Sequence, residues 1–155
     1  INNDAAFLLN NPWGLQIGRL VKGGKYNEWD APEERKQYWY TKYRMEATVH
    51  LQEMLESKMK KETFSKIRQP CLTLYYFKSE KEQDPEVKVS AMLEMMDQLS
   101  TPPEKKRALA IPNAGAHVIG SSMVSKDVAG VYGEIKKFAV EVLNMESVNV
   151  LKDDD

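Results

Sequence analysis

The first thirty residues alternate short apolar runs with strong breakers of regular structure. Residues 5–9 are apolar and residues 15–21 are mostly so. Asn10-Asn11-Pro12 separates the two runs, and Gly23-Gly24 follows the second. Because proline and paired glycines end helices and strands, this pattern predicts short helices joined by loops.

A longer helical pattern runs from about residue 32 to residue 60. Asp30, Pro32 and the two acids that follow are typical of a helix start, since Asp caps a helix, Pro fits its first turn, and acids favour its positive end. Apolar residues then recur at steps of three and four, which predicts an amphipathic helix long enough to bend or divide. These positions are Trp39, Tyr43, Ala47, Leu51, Met54 and Leu55.

The pattern changes after Pro70 to a continuous apolar run, residues 71–77, which predicts a strand buried on both faces in a parallel sheet. A polar loop follows over residues 78–83. Asp84-Pro85 then predicts the start of a helix, and Thr101-Pro102-Pro103 predicts its end. The apolar face of that helix consists of Met92, Met95, Met96 and Leu99.

A second short strand is predicted at residues 107–111, followed by a loop of small residues and a final helix after residues 125–127. The order helix, strand, helix, strand, helix is that of crossover units, so the sequence predicts an α/β fold: a partial three-layer α/β/α arrangement, rich in helix, with few parallel strands. We divide the chain into a helical segment 1–66, an α/β segment 67–146 and an acidic tail 147–155.

The composition of the chain argues against several classes of protein. The 155 residues are 42% hydrophobic and 29% charged, too apolar for intrinsic disorder, and the net charge of -1 gives no field that would attract nucleic acid or an anionic membrane. No apolar stretch is long enough to span a bilayer. The single cysteine excludes a disulfide framework within the chain and favours a reducing compartment such as the cytoplasm, with the compartment itself left open.

Candidate chemistry lies in the loops that follow the two predicted strands. Ligands and catalytic groups of open α/β sheets collect beyond the carboxyl ends of the strands. One such loop carries Asp84, with Glu80 and Glu82 as alternatives, and the other carries His117. We expect the Asp84 carboxylate, or failing that Glu82 or Glu80, to lie on the same sheet edge as the His117 ring and near hydrogen-bond reach. There a carboxylate can fix the tautomer of the imidazole and stabilise its protonated form. For Asp84 the alternative is helix capping, and for His117 it is a bond to nearby backbone.

The order of these features resembles the C-terminal part of the α/β-hydrolase family. The segment QPCLTLYYFKSEKEQDPEV resembles the strand and loop that carry the catalytic acid in that family. The segment ALAIPNAGAHVI resembles the strand and loop that carry its catalytic histidine. The resemblance covers about residues 67–145. It implies that Asp84 is the catalytic acid and His117 the general base. By position alone, residues 1–66 correspond to the variable cap that shapes the substrate pocket, with Trp39 and Tyr43 as candidate pocket residues.

The chain lacks the nucleophile that this family requires. A nucleophile elbow needs a Gly-x-Ser-x-Gly-like turn between a strand and a helix, and the sequence contains none. In the family this turn precedes the cap, so we expect a C-terminal fragment of a hydrolase. Its parent would cleave esters or other acyl substrates with a Ser-His-Asp triad, and the chain alone would be inactive. We also expect the chain to self-associate through the exposed edge of its first strand.

Other reactive residues have simpler interpretations. Ser121 and Ser122 follow His117 without a strand-to-helix elbow, so we do not expect them to be nucleophiles. Cys71 lies at the amino end of its strand, the wrong end for the site, and is interpreted as a core residue. His50 has no second ligand at helical spacing, and neither a metal nor a cofactor is predicted.

The aromatic cluster of residues 38–43 is either a stacking platform, part of a substrate wall, or ordinary core packing, which we favour. If the parent is not an enzyme, the alternative function is a non-catalytic module that binds a small molecule or a protein. In that case Asp84 would only cap a helix.

Overall fold

The structure is a computed structural model that describes residues 14–146. The chain divides into two compact units, Ile1–Phe64 and Ser65–Asp155, two residues from the boundary drawn on the sequence. The apolar run at residues 5–9, the breaker at 10–12 and the acidic tail 147–155 lie outside the described residues.

The first unit combines helices with a small antiparallel sheet. β1 (Tyr26–Glu28) and β2 (Lys42–Arg44) pair in antiparallel register, with Asn27 opposite Tyr43. Glu46 of α3 (Met45–Lys58) accepts from Arg44 of β2 and from Arg19 of α1 (Gly14–Lys22). The bond from Arg44, then a backbone hydrogen bond at Glu46 and the bond from Arg19, lower the pKa of Glu46 to about 2. The described elements are α1 Gly14–Lys22, β1 Tyr26–Glu28, α2 Glu33–Lys36, β2 Lys42–Arg44, α3 Met45–Lys58 and α4 Lys61–Phe64.

The prediction of one helix from residue 32 to residue 60 is wrong in its middle. A helix begins after Pro32 as predicted, but it ends at Lys36, and Asp30 does not cap it. The chain then pairs with β1 through Lys42–Arg44 before α3 resumes helical structure. Trp39 and Tyr43 therefore lie in a loop and a strand instead of on one helix face. Pairing between residues far apart in sequence has overridden the local period.

The second unit is built around two parallel strands. β3 (Cys71–Tyr75) and β6 (Lys106–Ala110) pair along their whole length, from Cys71 opposite Lys106 to Tyr75 opposite Ala110. A short hairpin and a helix lie between them in sequence, and a last helix follows. The elements are β3 Cys71–Tyr75, β4 Phe77–Ser79, β5 Glu82–Gln83, α5 Val89–Gln98, a single 3₁₀ turn at Pro103–Lys105, β6 Lys106–Ala110 and α6 Val128–Glu141.

Helices α5 and α6 cover opposite faces of the strand pair. Cys71 and Thr73, on one face of β3, contact the sulfur of Met96 in α5. Leu74, on the other face, packs against the buried cluster that includes Val131 of α6. Because successive side chains of a strand point to opposite faces, the two helices lie on either side of β3. This arrangement confirms the parallel pairing and the α/β class.

The second unit differs from the prediction in several details. The strand predicted at residues 71–77 ends at Tyr75, and the loop predicted at residues 78–83 contains part of the hairpin of β4 and β5. The side chains of β3 are only half-buried, since among the described residues β3 has one partner strand, β6, and two strands cannot be covered as a wide sheet would be. The helix predicted from Asp84-Pro85 begins at Val89 instead, and Asp84 is not its cap. The predicted end of α5 before Pro102 and the start of α6 after Asp127 are confirmed, and Asp127 caps α6 by accepting from Gly130.

Within residues 14–146, no helix is both long and apolar enough to cross a membrane.

Candidate functional site

The parallel pairing of β3 and β6 brings the loops after both strands to one edge of the sheet. The backbone N–H of Ile111 donates to the carbonyl of Tyr75 at 2.8 Å, which continues the pairing one residue beyond β6. The chain on both strands leaves the sheet just past this bond. Residues that follow β3 and β6 are therefore neighbours in space although more than thirty positions separate them in sequence.

A hairpin returns the chain to the end of β3. β4 and β5 are antiparallel, with Phe77 opposite Gln83, and Lys78 forms an ion pair with Glu82 at 3.0 Å across them. After this reversal the backbone N–H of Asp84 donates to the carbonyl of Tyr76 at 3.0 Å. The hairpin thus explains why Asp84 lies at the end of β3 although it follows that strand by nine residues.

Asp84 is a buried carboxylate whose two oxygens have different partners. Its side chain is 3% exposed. Oδ1 accepts from the backbone N–H groups of Glu86 and Val87, both at 2.9 Å, and Oδ2 lies 2.8 Å from Nδ1 of His117. Burial acts to raise the pKa of Asp84, but the hydrogen bonds from His117 and from the two amides outweigh it, so the pKa lies below its ordinary value.

The loop that carries His117 is fixed on both sides of this residue. Ala114, which is fully buried, accepts from the N–H of Lys126 at 3.0 Å and so closes the base of the loop. Ile119 packs against the same buried cluster as Ala114. Gly115 has φ +68°, a left-handed conformation that a side chain would strain, which accounts for glycine at this turn.

The imidazole of His117 is anchored by one nitrogen and open at the other. An ionised carboxylate can only accept a hydrogen bond, so Nδ1 carries the proton and donates it to Asp84. Nε2 is then the basic nitrogen, and it has no hydrogen-bond partner among residues 14–146. The side chain is 43% exposed. In its neutral form, an imidazole held in this orientation with no hydrogen bond at Nε2 is equipped to act as a general base.

The predicted proximity of Asp84 and His117 is confirmed, whereas their catalytic role stays a prediction. Capping and orientation of the histidine were alternatives for Asp84 in the sequence. In the structure the carboxylate does two things at once: one oxygen closes the turn at residues 84–87, and the other binds the imidazole. The turn is not part of α5, so the expected helix cap is wrong.

The structure separates the other candidates from this pair. Glu82 is paired with Lys78, and the alternative acid Glu80 is exposed in the hairpin turn. The Ser121 hydroxyl accepts from the N–H of Met123 within a turn, and Ser122 is exposed beside it. Both serines lie in the long loop between β6 and α6 and not at a sharp strand-to-helix turn.

Cys71 lies at the amino end of β3, as predicted, with its sulfur 3.7 Å from that of Met96. The site forms beyond the opposite end of the strand, so the thiol is a packing residue. Among the described residues no group of three or more His, Cys, Asp and Glu is placed to hold a metal ion.

The remaining candidates belong to the first unit. His50 is exposed on α3, with Nδ1 3.7 Å from a carboxylate oxygen of Glu53. Trp39 is half-buried in the loop before β2, and Tyr43 is exposed on that strand. Tyr38 and Tyr40 are also exposed, so ordinary packing, which the sequence favoured for at least two of the four aromatic residues, fits Trp39 and is wrong for Tyr43.

The sequence reading missed the part that backbone amides play in the site. The N–H groups of Glu86 and Val87 hold Oδ1 of Asp84 and thereby direct Oδ2 toward His117. The signal was present in Asp84-Pro85-Glu86, since Asp commonly accepts from amides two and three residues ahead when proline shapes the turn. We interpreted the same residues as a helix start because both structures use this combination.

Comparisons of the chain with protein-family models, with curated proteins and with solved structures find no match.

Proposed function

We propose that this chain supplies the acid and the histidine of a nucleophile-histidine-acid active site in an α/β-hydrolase that cleaves ester or other acyl substrates. The observation that carries the proposal is the hydrogen bond between buried Asp84 and half-exposed His117, which leaves Nε2 open. The order β3, α5, β6, α6 also resembles the C-terminal part of that family.

In this proposal His117 transfers protons and Asp84 keeps its charge. Nε2 removes the proton of a serine hydroxyl as the oxygen attacks the acyl carbon, and the imidazolium then gives that proton to the leaving group. Asp84 stabilises the imidazolium through Nδ1 and holds the ring in one tautomer. The lowered pKa of Asp84 fits this role, because the carboxylate must remain ionised throughout.

The serine and the groups that stabilise the oxyanion would come from a segment outside this chain. The 155 residues contain no Gly-x-Ser-x-Gly turn. A base and its orienting acid have no substrate-attacking group to activate by themselves, so the chain alone should hydrolyse no activated ester above background. Turnover by the chain that depends on His117 would contradict the absence of a nucleophile and direct attention to Ser121 and Ser122.

Kinetics of the full-length gene product test the proposal. Its coding sequence upstream of Ile1 should contain a Gly-x-Ser-x-Gly after an apolar strand. Replacement His117→Ala should lower kcat/KM toward an activated ester by about 10²–10⁴-fold, the usual worth of a general base. The matched control is His50→Ala, which removes the other histidine from an exposed helix position and should leave kcat/KM unchanged. Equal activity of the two variants would refute the role of His117.

A second candidate function, a non-catalytic binding module, is favoured by the exposed aromatic residues of the first unit. Tyr38 and Tyr40 are exposed, and tyrosine is enriched in the surfaces through which proteins bind partners. In such a module the Asp84–His117 bond would only join two loops. Full activity of the His117→Ala protein together with loss of a ligand in a Tyr40→Ala protein would favour this function over the hydrolase.

A further inference from the structure

Tyr76 occupies the position where the chain leaves the sheet toward Asp84. It follows β3 directly and precedes β4. The carbonyl of Tyr75, one residue earlier, accepts from Ile111 at the end of β6, and the carbonyl of Tyr76 accepts from the N–H of Asp84. Two consecutive carbonyls therefore bind the residue that follows β6, Ile111, and the catalytic acid candidate, Asp84.

The side chain of Tyr76 packs against the core that supports the histidine loop. That core is the buried cluster of Ile111, Ala114 and Val131, and Ile119 packs against it as well. Ala114 precedes His117 by three residues and Ile119 follows it by two, so the cluster supports the loop on both sides of the imidazole. Tyr76 is the residue that contacts this cluster with its ring and Asp84 with its backbone.

We propose that Tyr76 is a positioning residue that sets the separation of Asp84 and His117. Its use in catalysis rests on the proposed function, but the positioning itself does not. The ring holds the backbone at Tyr76 against the cluster that supports the histidine loop. The carbonyl of Tyr76 in turn holds the backbone N–H of Asp84. Tyr76, the cluster and the histidine loop thus connect Asp84 to His117 through a continuous series of contacts. The 2.8 Å hydrogen bond between the two side chains joins the ends of this series.

Loss of the ring removes one part of this series of contacts. A smaller side chain lets the backbone at residue 76 shift against the cluster, and Asp84 shifts with it because its N–H donates to the carbonyl of residue 76. A displacement of about 1 Å is enough to break a hydrogen bond of this length and, in an active site, to lower the rate by about 10²-fold. A residue that only filled the core would lower stability without separating the two side chains.

Nuclear magnetic resonance on the 155-residue chain tests this. The wild type should show a slowly exchanging downfield Nδ1 proton of His117 that disappears in Asp84→Asn. Tyr76→Ala should also lose this signal and raise the pKa of the Asp84 carboxyl, because the bond from His117 no longer lowers it. Tyr76→Phe, which keeps the ring, should restore both. Tyr76→Leu, an apolar replacement less damaging to folding, should lose the signal like Tyr76→Ala.

The matched control is Met96→Ala, which removes a buried side chain of α5 that contacts Cys71 and Thr73 on the other face of β3, away from the cluster under the histidine loop. It should lower stability and keep the His117 signal. Retention of the signal in folded Tyr76→Ala or Tyr76→Leu would overturn the positioning role and leave the proposed function intact. Absence of the signal in the wild type would overturn both, since the acid and the base would not be paired.

Discussion

At the scale of single residues, the site depends on how one buried carboxylate distributes its hydrogen bonds. Oδ1 of Asp84 is satisfied by two amides of its own turn, so Oδ2 is directed to a single partner, Nδ1 of His117. A buried carboxylate without such partners would lose its charge. Here three donors keep it ionised, and the same contacts fix the orientation of the imidazole.

The lowered pKa of Asp84 predicts how stability depends on pH. A carboxyl whose pKa is lower in the folded state contributes its stabilisation above the unfolded pKa of about 3.9 and loses it as the pH falls through the lower folded value. At pH 7, Asp84→Asn should lower the free energy of unfolding by about 1–3 kcal/mol, because buried partners lose a charged acceptor. Urea unfolding at several pH values should show this difference shrinking below about pH 4.

Asp97→Asn is the control for that experiment, since Asp97 lies at an exposed position of α5. It should change stability little at either pH. A difference between wild type and Asp84→Asn that stays constant down to pH 2 would show that the ionised carboxylate does not stabilise the fold.

The identity of the paired residues was predictable from the sequence, but the division of labour within Asp84 was not. Two apolar runs with an acid and a histidine beyond them indicate adjacent parallel strands, and parallel strands end at one edge. Whether Asp84 closes a turn, caps a helix or binds a histidine depends on φ and ψ after Pro85, which the composition of the segment leaves undetermined. The three functions require the same residue type.

At the scale of elements, α6 shows how a cap determines where a helix begins. Asp127 accepts from the N–H of Gly130 at 2.9 Å, and a Cβ on Gly130 would lie 2.6 Å from the other carboxylate oxygen. Gly133, one turn further, would present a Cβ with no described atom within 4 Å. The two glycines of the same helix are therefore under different constraints.

Replacement of each glycine by alanine should have different effects on stability. Gly133→Ala should raise the free energy of unfolding by about 0.5–1 kcal/mol, the ordinary gain from alanine in a helix. Gly130→Ala should lose the cap, worth about 0.5–2 kcal/mol, and so gain nothing or become less stable. Thermal unfolding of the two variants measures the difference. An equal gain in both would show that Asp127 does not hold the start of α6.

Two helix boundaries of the second unit followed from local signals, whereas the strand within the predicted helix of the first unit did not. Pro102 and Asp127 act on the residues beside them, so the end of α5 and the start of α6 were predictable. The strand Lys42–Arg44 forms because β1 lies beside it, with Tyr26 opposite Arg44. The apolar spacing between residues 32 and 60 carries no information about that partner, so it predicted a helix that could bend or divide, and no strand.

At the scale of the whole molecule, the parallel sheet between the two helices of the second unit has only two strands among the described residues. Two helices cover a sheet of two strands, and each strand has one edge without a partner among the described residues. The outer side of α6 also carries exposed apolar residues, namely Tyr132, Ile135 and Val140. Unpaired edges and exposed apolar surface favour association.

We predict that the chain self-associates through the free edge of β3. Light scattering over a wide concentration range should give masses above that of one chain, rising with concentration. Ile135→Lys places a charge on the outer side of α6 and should leave this association unchanged if the edge of β3 is responsible. A wild-type chain that stays monomeric at high concentration would contradict the prediction, and a monomeric Ile135→Lys variant would assign the contact to α6.

Labelling of the full-length gene product with a fluorophosphonate tests the central claim most directly, because this reagent modifies serines that a neighbouring base has activated. The predicted result is one labelled serine, upstream of this chain in a Gly-x-Ser-x-Gly turn. The label should be lost in His117→Ala and retained in His50→Ala. Absence of label in the folded wild type, or equal labelling of the His117→Ala variant, would contradict the assignment of Asp84 and His117 to a hydrolase active site.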